Sequence, residues 1–345
     1  MTGSELLKHR RGPTPGTRHW ENDKPMRKLA TLVALPALLA AGSLSAQQDA
    51  QYTNFMNNKL YLSPAVAGSK GQAVVYGLIR KQWFGLEGSP ASQAVGFHTP
   101  LKGKNAGVGA VVTNDEIGFT RATQVTANYA YHVQVSPKTY LSAGVSASAR
   151  QYRVDWTAAR AIDQEDFNIP DADQGSSVMA NFGAGAMLYS DRFYASVSAP
   201  RLMRNRLDLN RDGLGVNQSA SREDLHLYAM GGVLLPLTSQ WDVKPAALVK
   251  YATDSPLDVD VHASLIWRST LTLGATYRTG GSSVNTIGES VDVLASIRAT
   301  ERLRIGTAYD FTLSEIKEVS SGSAELFVEW TLGQKGGMLT NPRFF

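Results

Sequence analysis

Apolar and polar side chains alternate along most of the chain from about residue 72 onward. The alternation is clearest in residues 121–135. There one face carries Val125, Ala127, Tyr129, Tyr131, Val133 and Val135, and the other carries Gln124, Thr126, Asn128, His132 and Gln134. A period of two is that of a β-strand, whose successive side chains point to opposite faces. The pattern therefore predicts a strand over these residues.

The same alternation recurs in segments that are separated mostly by short turns. The predicted strands lie near residues 73–83, 91–99, 105–113, 121–135, 139–153, 177–189, 192–199, 223–235, 240–251, 258–268, 269–279, 289–299, 302–313 and 325–332. This makes about 14 strands, an even number, joined in sequence order. The pattern thus predicts an all-β, antiparallel protein.

A soluble β-sandwich would also alternate, but three features favour a transmembrane barrel. Many strands reach about ten residues, enough to cross a bilayer when tilted. The polar faces include charged residues that would each cost about 2–4 kcal/mol on a lipid-facing position near the midplane. These residues are Lys244, Lys250, Arg278, Asp292 and Arg298. We therefore expect them to line a wet or ion-paired lumen.

Aromatic residues near the predicted strand ends are the third feature, since such residues form girdles at the two membrane interfaces. They are Trp83, Tyr140, Tyr152, Trp156, Tyr189, Trp241, Tyr251, Trp267 and Tyr277. An open sheet edge cannot lie in hydrocarbon, so the strands must close on themselves. Residues 72–333 are accordingly predicted to form an antiparallel transmembrane β-barrel of about 14 strands, followed by a C-terminal tail, 334–345.

The segment 47–71, which precedes the first strand, has a different pattern. Tyr52, Phe55, Met56 and Leu60 recur at steps of three and four, which predicts a short helix with one apolar face. Pro64 is expected to end that helix, and a tight turn follows. One interpretation is a cap packed on a sheet. The other is a plug or docking segment for a barrel, with the contact residues Gln51, Tyr52, Phe55, Met56, Asn57, Leu60, Tyr61, Pro64, Ala65 and Gly68.

Residues 26–46 have the parts of a secretory signal peptide: a basic start at Met26-Arg27-Lys28, an apolar core, and small residues around an expected cut after Ala46. The apolar core is broken by Gly42 and Ser43 before it reaches the length of a membrane-spanning helix. Residues 1–25 are polar and contain proline. We expect them to be either an over-extended reading frame or a disordered extension.

Charge and composition exclude some functions. Residues 1–46 hold seven of the 34 Lys and Arg and three of the 30 Asp and Glu, which leaves 27 of each sign and a net charge of zero for residues 47–345. A nucleic-acid partner is therefore not expected, because its basic footprint is missing. The chain has no cysteine, so thiolate chemistry and disulfides are excluded.

No catalytic motif or cofactor site is recognisable, so an enzyme is not expected. The sequence contains no G-x-S-x-G elbow, no H-E-x-x-H and no phosphate-binding glycine loop. His98, His132, His226 and His262 fall on separate predicted strands, and His132 and His262 are expected to be hydrogen-bonding residues of the lumen. A Ser and His pair assembled across strands, as in outer-membrane hydrolases, stays open as an alternative.

Two long connections, 154–176 and 201–222, are predicted to be surface loops, and the first is strongly acidic. In the second, Asp208, Asn210 and Asp212 followed by Gly213 copy the first half of a calcium loop. The twelfth position is Ser219 and not the bidentate Glu of such loops. An Asx-rich turn is the preferred interpretation, with calcium as a weak candidate.

The opening of the strand-rich region resembles a known family. Gln48-Asp49-x-Gln51-Tyr52, Met56-Asn57 and Leu60-Tyr61-x-x-Pro64-Ala65-x-Ala67-Gly68 are similar to the opening signature of the PorP/SprF outer-membrane proteins of the Bacteroidetes type IX secretion system, with Ala50, Lys59 and Ser63 as mild departures. Further landmarks follow in the family's order: Asp115-x-x-Gly118, Tyr129-Ala130-Tyr131, Pro245 with Lys250, Tyr277-Arg278, Tyr309-Asp310 and the ending Asn341-Pro342-Arg343-Phe344-Phe345.

This resemblance implies an outer-membrane barrel that is not an enzyme and needs no cofactor. It implies a role with the type IX secretion components in the export or surface attachment of large proteins, often adhesins tied to gliding. The partners expected are those components, an adhesin-like cargo and the lipid bilayer of the outer membrane. The rival function is that of an outer-membrane porin or solute channel with an open lumen.

Overall fold

The computed structural model describes residues 50–155, 175–205, 223–253, 255–280 and 288–332. All of them belong to the larger of the two units into which the chain divides, Gly42–Phe345. The predictions for residues 1–25, for the signal peptide 26–46 and for the tail 334–345 lie outside the described residues. So do the calcium candidates Asp208, Asn210 and Asp212.

The described residues form fourteen long strands and one strand of two residues. The strands are β1 (Ala73–Lys81), β2 (Ala91–Pro100), β3 (Ala106–Ile117), β4 (Thr120–Ser136), β5 (Thr139–Val154), β6 (Gly175–Ser190), β7 (Phe193–Arg201), β8 (His226–Val233), β9 (Leu235–Pro236), β10 (Trp241–Ala252), β11 (Asp258–Trp267), β12 (Leu271–Arg278), β13 (Ser290–Arg298), β14 (Leu303–Thr312) and β15 (Ser323–Leu332).

The strands close into an antiparallel barrel. Each long strand pairs with its neighbours in sequence, and β9 pairs beside β8 on the edge of β10. The circle closes because β1 pairs with β15, with Ala73 opposite Leu332 and Lys81 opposite Ala324. The prediction of a closed all-β barrel of about 14 strands is confirmed. No helix in the described ranges is long and apolar enough to cross a membrane.

The two faces of the barrel wall reverse the usual arrangement of a soluble protein. On β4, Val125 and Val133 point outward and are exposed, whereas Asn128 and His132 point inward and are buried. The same holds on β11, where Leu265 is exposed. An exposed apolar face over a buried polar face suits lipid outside and polar contacts inside. The predicted inward charges Lys244, Arg278 and Asp292 are all buried.

The aromatic residues divide between the two faces. Trp241, Tyr251 and Tyr277 are exposed on the outer surface, as a girdle requires. Tyr189 is not, because it lies on the inward face of β6, where its ring stacks on that of Tyr140 with centroids 5.5 Å apart. The assignment of Tyr140 and Tyr189 to a girdle was therefore wrong, because the strand phase turns both rings into the lumen.

The connections distinguish the two ends of the barrel. One end, which we call the short-turn mouth, has the connections 137–138, 191–192 and 268–270, and β1 begins there. The other end, the long-loop mouth, has the connections 155–174 and 202–225. The predicted surface loops coincide with these two long connections, most of whose residues lie outside the part of the chain that the structure describes.

Candidate functional site in the barrel lumen

The lumen is filled by residues 50–72, which we call the lumenal segment. It contains a four-residue helix, α1 (Lys59–Leu62), and a 3-10 turn, Pro64–Val66. The predicted helix from Tyr52 is shorter than expected, because Asn58 adopts φ −103° and ψ 38° and interrupts it. The helix ends at Leu62, and Pro64 begins the next turn, where its missing N–H is not needed.

The predicted contact residues of the segment are mostly buried against the inner wall. Tyr52 packs with Leu78 and Phe327, and its ring meets that of Tyr61 edge-on at 5.1 Å. Phe55 is 1 % exposed and belongs to the main apolar cluster of the lumen. The other members of the predicted set that are buried are Met56, Leu60, Pro64, Ala65 and Gly68, and those that are half-buried are Gln51, Asn57 and Tyr61.

A buried carboxylate pair anchors the start of the segment near the long-loop mouth. The backbone N–H groups of Thr53 and Asn54 donate to Glu325 at 2.8 and 2.9 Å, and the Asn54 side-chain amide donates to it at 2.7 Å. The Thr53 hydroxyl donates to Asp310 at 2.8 Å. Arg80 forms ion pairs with both carboxylates. The segment thus completes a buried charged cluster that joins β1, β14 and β15.

Charged residues continue along the inner wall beside this anchor. Lys250 lies 2.7 Å from Asp258 and 3.2 Å from Asp260, and Arg278 lies 3.0 Å from Asp260. Gln51 enters the same cluster, since its amide donates to Asp258 at 3.2 Å and accepts from Lys250 at 3.2 Å. Buried charges of this kind are stable only when they are paired and hydrogen-bonded.

On the opposite wall, three serines hold the middle of the segment. Ser142 donates to the carbonyl of Ala65 at 2.7 Å, Ser198 donates to the carbonyl of Leu62 at 2.7 Å, and Ser196 donates to the Ser63 hydroxyl at 3.0 Å. Buried backbone carbonyls need partners, and the wall supplies them. The polar inner face of β5 and β7 therefore matches the backbone of the turn.

Two histidines hold the end of the segment near the short-turn mouth. His132 donates through Nε2 to the carbonyl of Ala67 at 2.9 Å, and its Nδ1 accepts from the Tyr189 hydroxyl at 3.0 Å. The Gly68 N–H donates to Nδ1 of His98 at 3.1 Å. The expectation that His132 is a hydrogen-bonding residue of the lumen is confirmed, and its partner is the segment itself.

Small residues on the wall let the segment come this close. A Cβ added to Gly107 would overlap Ala67, and one added to Gly144 would overlap Ala65. Gly68 has φ +78°, a conformation that other residues rarely adopt, and a Cβ there would lie 2.6 Å from the Gly107 Cα. The fit between segment and wall is therefore a backbone-to-backbone fit.

Basic residues surround the Glu329 carboxylate toward the short-turn mouth of the lumen. Lys70 forms an ion pair with Glu329, and Lys59 lies over the Tyr194 ring at 4.5 Å from its centroid. Burial lowers the pKa of the Lys59 ammonium well below its ordinary value, and the nearby Lys244 lowers it further. This part of the segment is thus held in a desolvated environment.

Sequence reasoning missed Thr53 and Asn54, which make the anchor, and it did not single out Asp310 and Glu325 as their partners. The signal that was available is the placement of both carboxylates on polar strand faces. The described residues contain no group of His, Asp or Glu that could hold a metal ion. What the arrangement does is to fix a segment of the chain inside a closed wall.

Fold and site together define a membrane β-barrel whose lumen is occupied by its own segment 50–72. The sequence profile of the family described as Type IX secretion system membrane protein PorP/SprF matches residues 44–330, and the chain belongs to this family. The resemblance drawn from the opening signature and the later landmarks is thereby confirmed. No curated protein matches the sequence.

Several solved structures of membrane barrels are distantly similar. They include the CymD monoaromatic hydrocarbon channel, with 10% identity over 83% of this chain and 94% of that one and a TM-score of 0.46. A Pseudomonas aeruginosa FadL homologue has 12% identity over 75% and 89% and a TM-score of 0.39. The KdgM porin has 9% identity over 76% and 99% and a TM-score of 0.34. The barrel architecture rests on the strand pairing itself, not on these scores.

Proposed function

We propose that the protein is a non-enzymatic outer-membrane component of the type IX secretion system that assists the export or surface attachment of specific secreted proteins. The family membership supports the link to this system. The expected partners are other secretion components and an adhesin-like cargo, in keeping with gliding-associated members of the family. The exposed apolar face of the wall supports a place in a lipid bilayer.

The filled lumen is the observation that carries the docking role. Thr53, Phe55 and Ala65 are each at most 1 % exposed, and hydrogen bonds hold the segment to opposite walls. A solute channel needs a continuous aqueous path, which a packed segment interrupts. The barrel therefore acts as a scaffold that presents its mouths and loops to partner proteins. The lumenal segment stabilises the wall through its buried contacts.

Planar-bilayer recording separates docking from the rival role of a porin or solute channel. We expect the purified, intact barrel to insert and stay electrically silent. The control for insertion is a variant that lacks residues 50–69, whose folding is checked by heat-modifiable migration. Once folded, this variant should conduct ions, because its lumen is empty. Stable open conductance from the intact barrel would contradict the docking role.

Co-purification tests the partners. An affinity-tagged barrel extracted from its native membrane with mild detergent should retain secretion components and a secreted cargo protein. A disulfide between cysteines at positions 63 and 196 would fix the lumenal segment to the wall. It should leave the retention of partner proteins unchanged if the mouths and loops make the contacts. Recovery of the barrel alone, with the components present in the same extract, would contradict the proposal.

A further inference from the structure

Two tryptophans and an arginine lie together on the outer surface of the barrel at the short-turn mouth. Trp241 at the start of β10 pairs directly with Trp267 at the end of β11, and their ring centroids are 6.5 Å apart. The guanidinium carbon of Arg268 lies 5.0 Å from the centroid of the Trp267 ring, which is a cation–π distance. We call these three residues the Trp-Arg cluster. It places a cation at the end of two lipid-facing strands.

Arg268 is held in one place, with part of its guanidinium open. Its backbone N–H donates to the carbonyl of Gln240 at 2.7 Å, and its Nε donates to the Gln240 side chain at 3.3 Å. Within the part of the chain that the structure describes, its two terminal nitrogens have no acceptor. Arg268 and Ser269 have φ +47° and +54°, a pair of turn conformations that Asn and Gly adopt most easily. An arginine kept at such a position, with donors open, indicates a role beyond the turn itself.

The cluster lies at the edge of the apolar outer face. Leu237 in the turn before β10 is 57 % exposed, and Trp241 is 40 % exposed. Both are on the outside of the wall, next to the exposed Leu265 of β11. Tryptophan rings favour the level of the lipid headgroups, where one end is apolar and the other is wet. The guanidinium therefore lies at the level where headgroups meet hydrocarbon.

The rest of the short-turn mouth is basic. Its described turns carry six exposed basic residues and one exposed acidic residue, Glu301. The basic residues are Lys102, Lys104, Lys138, Arg192, Arg268 and Arg302. Basic residues close to a membrane surface attract lipids with a net negative charge. The rim of this mouth thus favours anionic phospholipids over zwitterionic ones.

We propose that the Trp-Arg cluster binds the headgroup of an anionic phospholipid in the leaflet at the short-turn mouth. The terminal nitrogens of Arg268 form a planar fork that donates to two phosphate oxygens. The acyl chains lie along the rings of Trp241 and Trp267. An acidic protein segment would match the charge but leave both rings exposed, so lipid is the better occupant. The proposal goes beyond the secretion role, since binding is measurable without any secretion component.

Native mass spectrometry tests this on the purified full chain, released from micelles of a non-ionic detergent. Titration with phosphatidylglycerol, or with phosphatidylcholine of the same acyl chains, gives the dissociation constant of the first bound lipid. We expect phosphatidylglycerol to bind the wild type more tightly. Arg268→Gln should weaken phosphatidylglycerol about fivefold, the effect of one basic residue near an anionic headgroup.

A second variant tests the ring beneath the guanidinium. Trp267→Leu keeps the outer face apolar and removes the cation–π contact, so it should weaken phosphatidylglycerol about twofold or more. It carries the test if heat-modifiable migration shows that Arg268→Gln is not folded.

Two matched variants serve as controls and should leave the affinity unchanged. Trp330→Leu removes another exposed tryptophan near the same mouth, over whose ring no cation lies within the described ranges. Arg121→Gln removes an exposed arginine at the long-loop mouth, where Arg121 pairs with Glu116 at 2.9 Å.

Several results would each overturn the proposal. They are equal affinities of the wild type for the two lipids, an unchanged affinity in the folded Arg268→Gln or Trp267→Leu variant, and an equal loss in the controls. Displacement of phosphatidylglycerol by a short polyglutamate peptide would instead make the rim a docking surface for an acidic protein. Displacement by glycerol phosphate at the same concentration would make the cluster a site for soluble phosphate. None of these outcomes bears on co-purification with secretion components.

Discussion

Asn54 donates to the Glu325 carboxylate twice, through its backbone N–H at 2.9 Å and through its side-chain amide at 2.7 Å. The two residues are 271 positions apart in the sequence. Asn54 belongs to the lumenal segment, and Glu325 belongs to the last strand of the wall. This contact links the lumenal segment to β15, the strand that closes the barrel. Glu325 lies opposite Arg80 of β1 where β1 and β15 pair, and the two residues form an ion pair there.

Neutralising Glu325 should destabilise the whole barrel. In Glu325→Gln, Arg80 loses one of its two buried partners, and a new NH2 group faces the donors of Thr53 and Asn54. Breaking a buried ion pair by removing one charge costs about 3–5 kcal/mol. Denaturant unfolding in lipid vesicles measures this loss.

The matched control is Glu116→Gln, because Glu116 pairs with Arg121 at 2.9 Å on the exposed end of β3 and β4. An exposed pair contributes about 0–1 kcal/mol. Equal losses in the two variants would mean that the Glu325 cluster is not an anchor.

A methyl group on the wall should loosen the segment. In Gly144→Ala the new Cβ overlaps Ala65, so either the segment shifts or the strand does. Overpacking of this kind costs about 1–3 kcal/mol. A cysteine placed at Ser63, in a chain that has no other cysteine, should then react faster with a maleimide than it does in the unaltered wall.

Gly77→Ala is the control for this measurement, since a Cβ at Gly77 meets no atom within 4 Å. Its labelling rate should match that of the parent. An unchanged rate in Gly144→Ala as well would show that the segment is not in tight contact with β5.

A disulfide should lock the segment to the wall. The hydroxyl oxygens of Ser63 and Ser196 lie 3.0 Å apart, so cysteines at both positions are close enough to bond. Oxidised Ser63→Cys/Ser196→Cys protein should keep the segment when the chain is cleaved between residues 70 and 73, as denaturing electrophoresis without reductant shows.

Ser63→Cys/Ser92→Cys is the control pair, because Ser92 pairs with Arg80 near the long-loop mouth, away from the middle of the segment where Ser63 lies. It should form no bond under the same oxidation. Bonding in both pairs would mean that the segment moves freely along the lumen.

A charge on the outer face should block membrane folding. Val261 is 53 % exposed near the middle of β11 and points outward, so Val261→Arg places a guanidinium against lipid. The expected cost is about 2–4 kcal/mol near the midplane. Folding yield into vesicles, read from heat-modifiable migration, should fall sharply. Val319→Arg, on the connection between β14 and β15, should fold normally, and a similar loss there would contradict the assignment of faces.

The wall was predictable because alternation is a local signal. Val125 to Val135 show their outward face in the sequence itself, and the structure keeps it. Tyr189 was placed wrongly, since nearness to a strand end does not tell which face a side chain takes. The short helix was placed correctly, but its length was not, because the backbone of Asn58 interrupts it.

The position of the segment depends on contacts between residues that are far apart in the chain. Its contact residues Tyr52, Phe55 and Leu60 were predicted from their apolar spacing, yet the same spacing would suit a cap on a sheet. Glu325 and Asp310 meet Thr53 only once the register of the last strands is fixed. Register follows from the closed circle and cannot be read from one strand.

The seam between β1 and β15 has a consequence for the order of assembly. The serine and histidine contacts of the segment belong to β2 through β7, whereas Asp310 and Glu325 belong to β14 and β15. A growing sheet can therefore gather the segment on its early half and close around it when the last strand arrives. The lumenal segment therefore does not have to thread into a barrel that has already closed. The protein completes its barrel with the segment already inside the lumen.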